Sequence, residues 1–185
     1  MYAGSDTSYQ LNENGTIVTY QRSEMHDTDL HARTAAGFTR GRTVSSPPFF
    51  MYLAPNAPHF PAYYAPRHAN LFSETALPGP SSFNEADVSD KPEWVASKPS
   101  LSSAQISDLT RFYRDRLRAL QSLDEMVERL VGALRDTGGL SSIYRVFTSD
   151  NGIYLGEHRL QERAAAYNAS PRVPLLIRDP GVPQG

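Results

Sequence analysis

No cysteine occurs among the 185 residues, which excludes disulfides, thiolate metal sites and a cysteine nucleophile together. An excess of basic charge is missing too. Lys and Arg number 18 against 20 Asp and Glu, a formal net charge of −2, so no positive field points to a nucleic-acid partner or an anionic membrane. Long apolar runs are absent, and stretches such as Phe49 to Ala54 are far too short to span a bilayer. Met1-Tyr2-Ala3-Gly4-Ser5-Asp6 has neither the positive leader nor the apolar core of a signal peptide. What remains is ordinary for a soluble globular chain: 39% hydrophobic and 21% charged residues, and enough length for one domain with a real core.

The polar opening, residues 1–22, reads as loop with a short strand over 16–20 behind an Asn14-Gly15 turn signal. A short helix is expected over 27–38, capped by Asp27 or Thr28, with Leu30, Ala35 and Phe38 on one side. Phe49-Phe50-Met51-Tyr52-Leu53 is a continuous apolar run of strand length, suited to a buried parallel strand, although periodicity alone leaves a buried helix open. Residues 55–99 are rich in proline, which forbids long helices. Phe60, Tyr63, Tyr64, Phe72, Phe83 and Trp94 favour an ordered, wandering loop there over disorder.

The clearest element follows. Ser102 or Ser103 caps a helix with apolar positions at Ile106, Leu109, Tyr113, Leu117, Leu120, Leu123, Val127, Leu130 and Leu134, ending at Gly138-Gly139. Its ~33 residues span roughly 50 Å. The stripe also fits a coiled-coil seam, but a strand follows at once, which favours packing against a sheet. That strand covers 143–148, and another covers 173–177. Strand, long crossover, helix and strand form the grammar of a parallel α/β sheet.

Ligands of open α/β sheets bind beyond the carboxyl ends of the strands. If the strands ending at Leu53 and Thr148 are parallel neighbours, His59 and the Asp150-Asn151 pair arrive at one rim. Asp150 and Asn151 offer hard oxygen ligands suited to Ca²⁺ or Mg²⁺, although Asp-Asn-Gly is equally good turn chemistry. A lone loop histidine such as His59 is also a common packing residue. His158 and Arg159 either touch a substrate or fold their own loop back. The sequons at Asn14 and Asn168 read as chance occurrences.

Taken together, several segments resemble the sulfatase family. They are Ser149-Asp150-Asn151-Gly152, Leu155-Gly156-Glu157-His158-Arg159-Leu160, and Arg172-Val173-Pro174-Leu175-Leu176-Ile177-Arg178 with Pro180-Gly181-Val182. The stretch from Phe49 to Pro55 with Ala57-Pro58-His59 and Pro61 is similar to the family's histidine segment, and the text from Arg116 to Val127 to its helix. Leu11-Asn12-Glu13-Asn14-Gly15 and the segment around Asp29 also fit, in family order. The N-acetylglucosamine-6-sulfatases are the nearest branch.

The resemblance implies an α/β, alkaline-phosphatase-like sandwich with a largely parallel central sheet, and a sulfuric ester hydrolase acting on sulfated carbohydrate. It implies a Ca²⁺ site with Asp150 and Asn151 as two of its four usual ligands, and His59 contacting the sulfate group. The family nucleophile is a formylglycine made from cysteine, sometimes serine, in a C-x-P-x-R motif. No such motif is present: Ser46, ahead of Pro48, lacks the arginine. Residues 1–185 therefore read as the middle section of a catalytic domain, incomplete at both ends, without the nucleophile segment or the C-terminal subdomain. Self-association of an incomplete sheet is expected of such a piece.

The family lysine falls at Arg163, four residues before Tyr167. Arginine keeps the charge and can clamp a sulfate with two N–H groups, but it does not give up a proton as lysine does. Relatives are exported or lysosomal, while this chain shows no signal peptide of its own. Two other readings stand beside the enzyme: an inactive relic or binding module of the same fold, and a phosphodiesterase of the same superfamily.

Overall fold

Asn14 and Gly15 take φ of 53° and 99°, the paired positive values of a two-residue hairpin turn that matches strand twist. In the computed structural model, which describes residues 3–4, 7–42, 47–162 and 165–181, β1 (Ala3–Gly4), β2 (Ser8–Glu13) and β3 (Thr16–Gln21) form an antiparallel sheet in chain order. The chain forms two compact units, residues 1–72 with 115–142, and residues 73–114 with 143–185.

In the first unit, Tyr9 of β2 lies opposite Tyr20 of β3, their rings stacked at 5.5 Å. Tyr9 is fully buried, and its hydroxyl donates to the Met25 carbonyl at 3.0 Å. Arg22 lies 4.0 Å over the Tyr63 ring and pairs with Asp27 at 3.2 Å. The strand expected over 16–20 is thus present, and the loop expected before it is a strand. Helix α1 (Asp27–Arg40) starts on Asp27 and Asp29, which complement the positive end of its dipole. It buries Leu30, Ala32, Ala35, Ala36 and Thr39, whereas Phe38 stays 39% exposed with Phe49 edge-on at 5.4 Å.

Arg67 grips this unit from the Pro-rich segment, donating to Asp29 at 2.6 and 2.8 Å and to both oxygens of Glu125. Burial pushes the Asp29 carboxyl up, but hydrogen bonding and charge from Arg67 outweigh it and hold the group below its ordinary range. Hydrogen bonding from Arg67 likewise draws Glu125 down. Both folded-state values lie below the unfolded ones. Their contribution is therefore complete above the usual carboxylate range and lost as pH falls through the folded-state values. Arg67→Met is expected to cost ~1 kcal/mol at pH 7, a modest figure because the groups are partly solvated. Urea unfolding across pH should show that cost shrink as pH falls below the usual carboxylate range and vanish once both carboxyls are protonated in the folded state; a difference that persists there contradicts the ion-pair origin.

Helix α3 (Ser103–Asp136, 34 residues) begins at a reciprocal cap. Ser102 Oγ accepts from the Gln105 N–H at 3.3 Å while Gln105 Oε1 accepts from the Ser102 N–H at 2.9 Å. It stops before Gly138, whose φ of 73° suits the left-handed turn that ends helices. The buried face differs from the apolar stripe of the sequence. Leu109 and Leu134 are buried as expected, yet Leu120 and Val127 are each 36% exposed, while Ala119, Ser122, Met126 and Ala133 are buried. Small side chains form much of that face, and a stripe drawn through the largest residues misses it.

In the second unit, the short helix α2 (Glu93–Ala96) delivers Val95 to a cluster with Tyr154 and Leu160. Asn84 ties the Pro-rich segment together, accepting from the Leu101 N–H at 2.7 Å and donating to the Leu101 carbonyl at 3.2 Å. The strands are β4 (Arg145–Thr148), β5 (Tyr154–Leu155), β6 (Gln161–Glu162) and β7 (Leu175–Arg178). The pairs β5–β6 and β4–β7 are both antiparallel.

The β4–β7 pairing is antiparallel, within a sheet expected to be largely parallel. Between Thr148 and Leu175 the described residues hold a two-stranded ribbon and turns but no crossover helix, and the returning chain runs back along β4. Residues 49–53 need a correction: among the described residues they enter no ladder. Their exposure alternates as in a strand, with Phe50 at 88% and Tyr52 at 83%, but alternation without a paired neighbour is not sheet. Val146, Leu175, Leu176 and Ile177 are also more than 60% exposed. Apolar strands bare on both faces have the composition of a sheet covered on both sides.

Candidate active site

Strand β4 ends at Thr148 and the chain turns through Ser149-Asp150-Asn151-Gly152. Asp150 Oδ1 accepts from the Asn151 N–H at 2.8 Å, and Asn151 Nδ2 donates to the Gly152 carbonyl at 2.7 Å. The turn reading and the ligand reading therefore coexist. These local bonds shape the turn, and they leave Asp150 Oδ2 and Asn151 Oδ1 without a protein partner among the described residues. Gly152 pins the turn from behind, donating its N–H to the Ser170 carbonyl at 2.6 Å.

The loop behind the turn is built around Tyr154, 1% exposed. Its hydroxyl O–H lies 2.6 Å from the Ala165 carbonyl and 2.9 Å from that of Tyr167, and its oxygen accepts from the Tyr167 N–H at 3.0 Å. His158 and Arg159 have φ of 51° and 60°, left-handed values that side chains rarely adopt. The contacts that hold them there are plain. His158 Nδ1 lies 2.7 Å from Glu85 Oε2, its ring packed on Tyr167 at 4.5 Å. The Arg159 guanidinium donates to three carbonyls, those of Glu85, Ala86 and Lys98, at 2.7 to 2.9 Å. Arg159 therefore ties its loop to the segment from Glu85 to Lys98. Gly156, at φ 116°, packs so closely on Phe83 that a Cβ would lie 2.5 Å from the ring.

His59 belongs to the other unit, and the ladder expected to bring its segment beside β4 is absent among the described residues. It is exposed, with Nδ1 2.8 Å from the Phe60 carbonyl. Since a carbonyl only accepts, that bond requires the proton on Nδ1. Arg163 lies outside the described residues. Among the described residues no three His, Asp or Glu side chains gather as a metal ion would need. The donor set itself fits a hard cation: one carboxylate and one amide oxygen on adjacent residues, of the roughly six to eight oxygens Ca²⁺ takes.

The family model for sulfatases matches residues 2–185. The chain belongs to the sulfatase family. An arylsulfatase of Volvox carteri is 36% identical over 85% of this chain and 28% of its own length. Human N-acetylglucosamine-6-sulfatase is 32% identical over 95% of this chain and 32% of its own. The chain thus spans about a third of the length of these curated relatives. Among solved structures, a protein captured in complex with its substrate D-glucosamine-2-N,6-O-disulfate superposes with a TM-score of 0.73, over 93% of this chain and 46% of that one, at 24% identity. That likeness shows a shared fold, and the described residues are a mixture of helix and sheet.

Sequence reasoning missed the supports of the site: Tyr154, Glu85 and the three-carbonyl grip of Arg159. A buried tyrosine two residues past Gly152 was the one available signal. The Glu85 and Lys98 contacts, at separations of 73 and 61 residues, left none.

Proposed function

We propose that residues 1–185 form the middle section of a sulfatase catalytic domain that hydrolyses sulfate esters of sulfated sugars. The reading rests on one observation above all, the Asp150-Asn151 pair at the end of β4 with an oxygen of each unpartnered and a locked loop behind it. The relatives that carry N-acetylglucosamine-6-sulfatase in their names, and the neighbour bound to a 6-O-sulfated glucosamine, support a sulfated glucosamine as substrate class. The central sheet of the whole domain is then the largely parallel sheet of an alkaline-phosphatase-like sandwich.

Asp150 and Asn151 would hold a Ca²⁺ ion, which when bound supplies positive charge to neutralise sulfate oxygens. His59, its Nδ1 committed to the Phe60 carbonyl, has Nε2 left to meet the sulfate group. Arg163, at the family lysine position, clamps sulfate oxygens without serving as a proton donor. The formylglycine nucleophile belongs to sequence other than these residues, since no C-x-P-x-R or S-x-P-x-R occurs among them.

The test uses the product of the full reading frame that includes residues 1–185. It is expected to release sulfate from 6-O-sulfated N-acetylglucosamine, and His59→Ala should lower kcat/KM by roughly 100-fold or more. Faster hydrolysis of a phosphodiester by that product overturns the sulfatase reading in favour of the phosphodiesterase. A folded product that turns over neither substrate overturns it in favour of the relic.

A further inference from the structure

His59 sits at the junction of two tight turns. Its N–H donates to the Asn56 carbonyl at 2.8 Å, and its own carbonyl accepts from the Ala62 N–H at 2.6 Å. Ala62 holds φ at 60° and is almost fully buried, so the second turn is anchored where the chain passes into the unit's interior. The side chain then closes on the next peptide, Nδ1 to the Phe60 carbonyl at 2.8 Å. The peptide between Pro58 and His59 has two ends to hold: its N–H end, that of His59, is bonded to Asn56, and its carbonyl end, that of Pro58, is not used by either turn.

That carbonyl is taken by α3. Arg116 Nη1 donates to Pro58 O at 2.9 Å, across 58 residues of sequence and within one unit. Burial pushes the Arg116 guanidinium below its usual pKa; a guanidinium stays charged regardless, so the protein bears the cost of keeping a cation there. Arg118, one helical step on, takes the Leu71 carbonyl at 2.8 Å, so α3 braces both ends of the segment that carries His59. The bond at Pro58 differs in adjoining the one ring whose proton position matters.

We propose that Arg116 is a positioning residue for His59: by holding the Pro58 carbonyl it sets the peptide geometry that puts the imidazole proton on Nδ1 and leaves Nε2 as the nitrogen that meets the sulfate group. The assignment rests on the sulfatase reading for what Nε2 meets, and on geometry alone for the tautomer. No element of this unit offers Nε2 a partner among the described residues.

The experiment reads the two ring nitrogens directly, by long-range ¹H–¹⁵N spectra of the ¹⁵N-histidine-labelled product of the full reading frame. Above the imidazole pKa, wild type is expected to show the Nδ1–H form of His59 in about tenfold excess or more, as one committed hydrogen bond dictates. In Arg116→Met, with circular dichroism confirming the helix content, the excess should collapse toward the mixture of a free histidine. Arg116→Lys keeps one donor for Pro58 O and should keep the excess. Wild type carrying the Nε2–H form overturns the proposal, and so does a folded Arg116→Met that retains the excess. Should Arg116→Met fail to fold, the lysine variant decides, since a folded Arg116→Lys with the Nε2–H form overturns it. No turnover is needed, so failure here leaves the sulfatase reading intact, and failure of that reading leaves the tautomer result standing.

Discussion

Asp150→Ala in the product of the full reading frame is expected to lower kcat/KM for a sulfate ester by about 1,000-fold, with little change in thermal stability. The asymmetry follows from where the carboxylate sits. Asp150 is exposed, and Oδ1 accepts only the neighbouring Asn151 N–H. Removing it deletes one short-range bond of a solvated turn, worth about 1 kcal/mol. The chemical loss is far larger, because a carboxylate is the only ligand type here that brings negative charge to the cation, and charge count sets Ca²⁺ affinity. Asp150→Asn keeps an oxygen but drops the charge, and should fall between. Initial rates measured against Ca²⁺ concentration separate the cases: the alanine variant should need at least ~10-fold more Ca²⁺ for half-maximal rate. A wild-type rate and Ca²⁺ requirement in Asp150→Ala would remove this residue from the metal site.

Gly152→Ala carries the largest expected cost to the fold. A Cβ at Gly152 would stand 2.0 Å from the Ala169 carbonyl oxygen and 3.2 Å from that of Ser170. Those obstacles are backbone, so no flexible side chain can swing away. The Gly152 N–H is bonded to the Ser170 carbonyl at 2.6 Å, and the approach cannot relax without breaking that bond. The expected loss is about 2–3 kcal/mol, the range of overpacking with a lost hydrogen bond. Gly132→Ala makes the contrast, since nothing lies within 4 Å of its Cβ and it sits in α3; replacing a helical glycine there should stabilise by roughly 0.5–1 kcal/mol. Urea unfolding measures both, and amide exchange at residue 152 reports the local effect. An alanine at 152 that matches wild type would mean the close approach does not exist in solution.

Local chemistry was legible wherever one segment sufficed. Ser102 with Gln105 announces the start of α3 and Gly138 its end. Asn14-Gly15 announces the turn; the start of α1 was placed within a residue, but its cap is His26, not Asp27 or Thr28. The acidic turn after Thr148 was legible too, in residue type and in place. The partner strand β2 was overlooked because Tyr9 and Leu11 are its only apolar positions, too few to stand out as an alternation. The buried face of α3 was misdrawn because Ala119, Ser122 and Ala133 carry little hydrophobic signal, and their burial depends on how near a neighbour comes.

The sequence by itself determined the family, the long helix, and the place of the acidic turn after β4. Those are properties of residue type and short-range spacing, and backbone physics reads them within a few residues. Only the tertiary structure decided that β4 and β7 run antiparallel, that residues 49–53 enter no ladder among the described residues, and that Arg159 holds three carbonyls. Only it linked Arg116 to the carbonyl beside His59, and Glu85 to His158. Each of these joins groups tens of residues apart, where the chain's path sets who meets whom, and no local propensity encodes that path.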